Sequence, residues 1–201
     1  MPSTPNTRPG GRTAAVRAAV LDATENALIE DGFAGMDLPA IARAAGVGKT
    51  TVYRRWGTPQ VLVADLLDQM AGQSVPATRT GDLLADLQAN AELVVDTLAD
   101  PRQGRLFAAL IAAATHDRST RAALDDFYRT RVDEWSQCLA DAVDRGDAPT
   151  DTDAAEVIRH LSAPLYYRFL TTSSAPTRAD AQRSVRATVA ALRAGVFADS
   201  G

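Results

Sequence analysis

Apolar residues recur at spacings of three and four along most of this chain, and glycine and proline fall mostly between the periodic stretches. Alanine is abundant, β-branched runs are short, and no segment alternates apolar and polar residues in the way a half-buried strand requires. The pattern predicts an all-α protein. Val16, Val20, Ala23 and Ala27 form one apolar stripe on a first helix that starts near Arg12 and closes at Asp31-Gly32 through a left-handed cap. Asp37 can cap a short second helix over 38–45, and Gly46 breaks it. A third helix over 49–55 stops at Gly57. Thr58 followed by Pro59 then reads as an N-cap with proline at the first helical position, opening a fourth helix that carries Val61, Leu62, Leu66 and Met70 to about residue 71.

The segment 72–80, with Pro76, is the predicted boundary between a head and a body. Beyond it the spacing predicts a helix over 82–99 with Leu84, Leu87, Ala91, Val94 and Leu98 on one side. Another starts at Pro101 with Phe107, Leu110, Ile111 and Ala114, and His116-Asp117 reads as its end and the next cap. A long amphipathic helix is expected over 119–145. A further one over 153–172 holds Pro164, which should kink or split it. Thr177 to Asp180 resembles a capping box with Asp in place of Glu, and the last helix shows Val185, Val189, Leu192 and Val196. The expected organisation is a mobile arm over 1–11, a head over 12–57, a connecting helix over 58–71 and a helical body over 72–201.

Charge is unevenly placed. The chain of 201 residues carries a formal net charge of -4, yet residues 1–57 hold seven basic against five acidic side chains. No acid lies between Asp37 and Asp65, where Arg43, Lys49, Arg54 and Arg55 fall. Such asymmetry suggests a basic head on an acidic body, although a solvated helical face has the same signature. Cys138 is the single cysteine, which fits a reducing, cytoplasmic setting. No apolar run of about 18 residues offers a membrane span, and the first 13 residues, MPSTPNTRPGGRT, lack the apolar stretch of a signal peptide.

The informative stretch is LPAIARAAGVGKTTVYRRW, residues 38–56. Two short helices that cross steeply need a small side chain where their backbones approach, and Ala42 fits. The turn between them needs positive φ, and Gly46 lies four residues later. Ile41, Ala45, Val47 and Val52 stand at offsets that fill the wedge. This is the pattern of a helix-turn-helix, whose second helix enters the major groove of DNA. The end facing the bases would be Gly48-Lys49-Thr50-Thr51, small and polar with one cation. Tyr53 can bond a phosphate through its hydroxyl, and Arg54 and Arg55 can neutralise backbone charge.

Residues 12–71 resemble the DNA-binding domain of the TetR family of transcriptional regulators: a first helix ending Glu30-Asp31-Gly32-Phe33, then the 38–56 motif, Gly57 and a capped fourth helix. The resemblance implies that Lys49, Thr50, Thr51 and Tyr53 meet double-stranded operator DNA, that Arg54 or Arg55 meets phosphate, and that the start of the fourth helix lies beside the DNA backbone. Many members of the family carry a lysine there. This chain has Thr58-Pro59-Gln60, so that phosphate contact is missing or is replaced by the Thr58 hydroxyl and backbone amides. Arg12 is placed to reach neighbouring phosphates.

The resemblance further implies a homodimer through the last two helices and a small-molecule effector cavity in the body. The candidates for that cavity are Phe107, Leu110, Tyr128, Trp135, Tyr166 and Phe169, with Cys138 and His160 as polar contacts; taken singly, each fits plain core better than ligand contact by type. The function expected is that of a sequence-specific DNA-binding repressor released by its effector. The alternative is a helical small-molecule or protein-binding module with a vestigial head. An enzyme is not expected, for want of a convergent acid–base set. No cofactor is expected, nor a metal, since His116, His160 and Cys138 lack ligand spacing.

Overall fold

The computed structural model describes residues 9–73 and 76–198, with side chains from residue 13 onward. Among these residues every regular element is a helix, and the only strand-like pairing is an isolated bridge between Thr152 and Ala198. The chain forms two compact units. One comprises the residues up to Gly72 together with Ala109–Asp125, and the other comprises Gln73–Ala108 and Asp126–Gly201.

The first unit contains α1 (Pro9–Asp31), a 3₁₀ turn (Phe33–Gly35), α2 (Leu38–Ala44), α3 (Lys49–Arg55) and α4 (Pro59–Gln73). Helix α1 begins three residues before the expected Arg12. The proposed arm over residues 1–8 and the side chain of Arg12 lie outside the described residues. The apolar face of α1 is Val20, Leu21, Ala23, Thr24 and Leu28; Val16 and Ala27, expected on the stripe, are only half-buried. Gly32 does have positive φ, but its ψ of 174° is not that of a left-handed helical cap. It sends the chain into the 3₁₀ turn, a backbone state that only glycine adopts without strain. Asp37 caps α2 as expected, its carboxylate accepting from the Ala40 amide at 3.0 Å.

The second unit is built around α5 (Leu83–Ala99), α8 (Gln137–Arg145), α9 (Ala154–Thr171) and α10 (Arg178–Arg193), with α10 packed on both α5 and α9. Helices α6 (Pro101–His116) and α7 (Arg118–Trp135) contribute residues to both units. Asp117 caps α7 through the Thr120 amide at 2.7 Å. The capping box is present at α10: Thr177 accepts from the Asp180 amide while the Asp180 carboxylate accepts from the Thr177 amide. The Ser184 hydroxyl donates to the Leu161 carbonyl at 2.5 Å and fixes α10 against α9.

Two expectations need correction here. Leu84 is 54% exposed, and the buried face of α5 runs instead through Asp86, Leu87, Asn90, Ala91, Val94, Val95 and Leu98. Asp86 is tolerated inside because it accepts from the Thr80 amide and hydroxyl, both at 2.7 Å. The helix expected over 119–145 is two helices, broken at Ser136. The Ser136 hydroxyl donates to the Val132 carbonyl at 2.7 Å and the Cys138 thiol to the Trp135 carbonyl at 3.2 Å, so side chains draw on the carbonyls of the junction. Pro164, by contrast, does not split α9. Leu161 and Leu165 are buried on either side of it, while Pro164 and His160, whose carbonyl loses its partner, face water.

Candidate nucleic-acid interface

The bend between α2 and α3 is a Schellman arrangement. Gly46, at φ 66°, takes the left-handed position. The Val47 amide reaches the Ala42 carbonyl at 3.0 Å and the Gly46 amide reaches the Arg43 carbonyl at 3.1 Å. A side chain at Gly46 would have space but the wrong backbone, so the glycine serves conformation. Ala42 is fully buried, as expected where the two helices approach, and Ile41 and Val52 are buried beside it. Ala45 and Val47 fill the rim and are half-buried.

Burying one side of a seven-residue helix displays the other. Val52 and Trp56 turn inward, whereas Gly48, Lys49, Thr50, Tyr53, Arg54 and Arg55 are exposed and Thr51 is half-buried. Tyr53 is a large aromatic with 51% of its surface open to solvent. The Arg55 guanidinium lies over the Trp56 ring at 4.8 Å, which holds a flexible cation in one place. Thr58 accepts from the Val61 amide at 3.4 Å, and its hydroxyl proton remains available at the exposed start of α4.

A carboxylate behind this face ties three helices together. Asp65 of α4 accepts from Arg17 of α1 at 2.6 and 2.9 Å, and from the Trp56 indole at the end of α3 at 2.7 Å. Burial pushes the Asp65 carboxyl up, but the hydrogen bonds from Arg17 and Trp56 and the charges of Arg17 and Arg55 hold it below the ordinary range. Arg17, counted among the basic residues of the head, is therefore engaged internally. The basic, acid-free surface narrows to Arg43, Lys49, Arg54 and Arg55. This hub was not apparent from sequence: Arg17 and Asp65 are 48 positions apart, and only the nine-residue separation of Trp56 and Asp65 hinted at a local pair.

Two family models cover most of the chain. Residues 20–66 match the bacterial regulatory proteins of the tetR family, and residues 77–188 match the tetracyclin repressor-like C-terminal domain. The chain belongs to the TetR family. It is 31% identical to the DNA-binding transcriptional repressor TetR of Mycobacteroides abscessus over 75% of this chain and 80% of that one. It is 29% identical to the HTH-type transcriptional regulator AqdR of Rhodococcus erythropolis over 75% and 72%. Among solved structures, GusR of Salmonella enterica shares the fold, with a TM-score of 0.74 and 18% identity over 94% of this chain and 100% of that one. Like other TetR-family members, this chain is a helix-turn-helix transcriptional regulator with an N-terminal DNA-binding domain and a helical C-terminal domain. Among the described residues no helix is long and apolar enough to cross a membrane.

The candidate effector residues divide. Phe107, Phe127, Tyr128 and Tyr166 form a continuous chain of rings in the second unit, with centroids 5.9, 5.3 and 5.7 Å apart. Trp135 is buried in the same unit, and Phe169 is half-buried. Leu110 is fully buried but belongs to the first unit. Cys138 is buried, and burial pushes its thiol up to about 11, which marks a core residue. His160 does not join the ring chain: it is exposed, its ring edge-on to Phe197 at 5.2 Å. Sequence reasoning passed over Arg131, which is 8% exposed with its guanidinium 5.0 Å from the Trp135 ring centroid. Its place three residues after Tyr128 and four before Trp135 puts it on their stripe of α7.

Proposed function

We propose that this regulator is a homodimeric repressor that grips operator DNA with α3 and is released when its helical second unit takes up a small-molecule effector. One observation carries the DNA reading. Helix α3 buries Val52 and Trp56 while its opposite face, with Lys49, Thr50, Tyr53, Arg54 and Arg55, is solvent-exposed and free of acids. Lys49, Thr50 and Thr51, beside Gly48, have the size and polarity to reach base edges in the major groove. The Tyr53 and Thr58 hydroxyls and the Arg54 and Arg55 guanidinium groups suit phosphates. Arg12 belongs to the same phosphate set by its place near the start of α1.

Dimerisation through α9 and α10 is supported by what those helices leave uncovered. Tyr167 and Leu170 of α9 are open to solvent, beside a groove that Pro164, Tyr167, Ser184 and Ala187 help to line. Large apolar side chains exposed together mark an interaction face. A two-fold pair would set two α3 helices about 34–36 Å apart, one turn of duplex. Genomic fragments captured by the purified protein, then titrated by fluorescence anisotropy at several salt concentrations, test the reading. A dimer per palindromic site and a steep fall of log affinity with log salt are expected. A flat salt dependence with no preferred fragment overturns it and leaves the second unit as a binding module with a vestigial head.

A further inference from the structure

The second unit buries hydrogen-bond donors that no group among the described residues satisfies. On one stripe of α7, Tyr128 and Trp135 present a hydroxyl and an indole N–H, each inaccessible to solvent and without a partner at hydrogen-bonding distance among the described residues, the Tyr166 hydroxyl being the polar group that faces Tyr128. Between them lies Arg131, 8% exposed, with its guanidinium over the Trp135 ring. Tyr166 of α9 closes the group edge-on to Tyr128, and the positive charge of Arg131 is felt at the Tyr166 hydroxyl. Phe107 and Phe127 continue the apolar wall. A buried polar group left unpaired is costly, and a cluster of donors around a buried cation is complementary to an anionic acceptor.

Resting on the reading of this unit as an effector-binding body, we infer that the Tyr128–Arg131–Trp135 stripe of α7, with Tyr166, receives the acidic group of the effector, and that the effector is a small organic acid with an apolar or aromatic body. The present counter-ion of Arg131 gives such a ligand a consequence. Glu134 pairs with Arg131 at 2.7 Å, and its other oxygen accepts from the amide of Ala77 at 3.3 Å, in the segment that follows α4. The Glu134 side chain is 36% exposed against 9% for that of Arg131, so it returns to water more readily than Arg131 does. A bound acid takes over Arg131, Glu134 swings out, and the Ala77 anchor of the linker is lost.

Matched pairs of probes test this on the full-length protein: 2-naphthoate against 2-naphthamide, and decanoate against decanamide, by isothermal titration calorimetry. Each acid is expected to bind about tenfold or more tighter than its neutral amide, the scale of one charge-assisted hydrogen bond. Arg131→Gln is expected to abolish that preference, with folding checked by circular dichroism. Tyr128→Phe keeps the ring and the fold and is expected to cut acid affinity about threefold or more, which keeps the test alive if Arg131→Gln unfolds. Hydrogen exchange at the Ala77 amide is expected to quicken with bound acid and not with amide. Equal affinity for acid and amide, a preference that survives Arg131→Gln, no binding by any acid at millimolar concentration, or unchanged Ala77 protection with acid bound each overturns the inference. Operator affinity measured in the same samples reports separately on whether the chain is a DNA-binding regulator at all.

Discussion

Replacing Asp65 by alanine removes the acceptor on which α1, α3 and α4 converge. Trp56 is 5% exposed, so its indole N–H loses its 2.7 Å partner in a largely buried setting, a cost of about 1–3 kcal/mol. The Arg17 side chain is 27% exposed and can be partly rehydrated, so its share is about 0.5–1 kcal/mol. The total is about 1.5–4 kcal/mol, and Asp65→Asn, which keeps one acceptor oxygen, costs about half of that. Native-state hydrogen exchange at the amides of Val20, Val52 and Trp56 measures it locally, without assuming that the two units unfold together. Exchange is expected to accelerate about 10- to 900-fold in Asp65→Ala. Acid should erase the difference. The folded carboxyl sits below its ordinary range, so its contribution is full above about pH 4, the unfolded value, and fades as pH falls toward the folded one. Acceleration under threefold at pH 7, or a difference that grows in acid, would refute the reasoning.

Other expectations follow from single contacts. Gly104 sits where a Cβ would meet the Leu98 carbonyl oxygen at 2.6 Å, so Gly104→Ala must displace backbone. A loss of about 2 kcal/mol or more is expected in thermal unfolding at fixed protein concentration. Thr177→Ala breaks the capping box of α10 and should cost about 1 kcal/mol by the same measurement. Cys138, buried with its thiol raised to about 11, should be unreactive toward Ellman's reagent at pH 8 in the native protein and react fully in denaturant. Its thiolate fraction there is about 0.1%.

The head was more legible from sequence than the body, for a physical reason. In the head, fold constrains adjacent residues: Ala42, Gly46 and Val52 must sit at set offsets for the helices to cross, and the residues left over are the exposed ones proposed to face DNA. Helix caps were legible too, because Asp37, Asp117 and Thr177 act on amides three positions away. What could not be read was decided across long separations. Ser136 and Pro164 each break the local helical pattern, yet the chain yields at Ser136 and continues through Pro164, because Leu161 and Leu165 hold α9 from both sides. Leu84 suited the stripe by spacing, but the burial of Asp86 and Asn90 turned α5 another way. Arg131 looked like a surface cation until the rings around it were placed.

Operator affinity of Lys49→Ala and Tyr53→Phe, measured by anisotropy alongside the unaltered protein, bears most directly on the central claim that the exposed face of α3 meets DNA. Neither side chain supports the core, so both variants should fold normally. Each is expected to weaken binding about fivefold or more, and Lys49→Ala should lower the salt slope by about one if its ammonium meets phosphate. Full affinity and an unaltered salt slope in both variants would place the DNA elsewhere on the molecule.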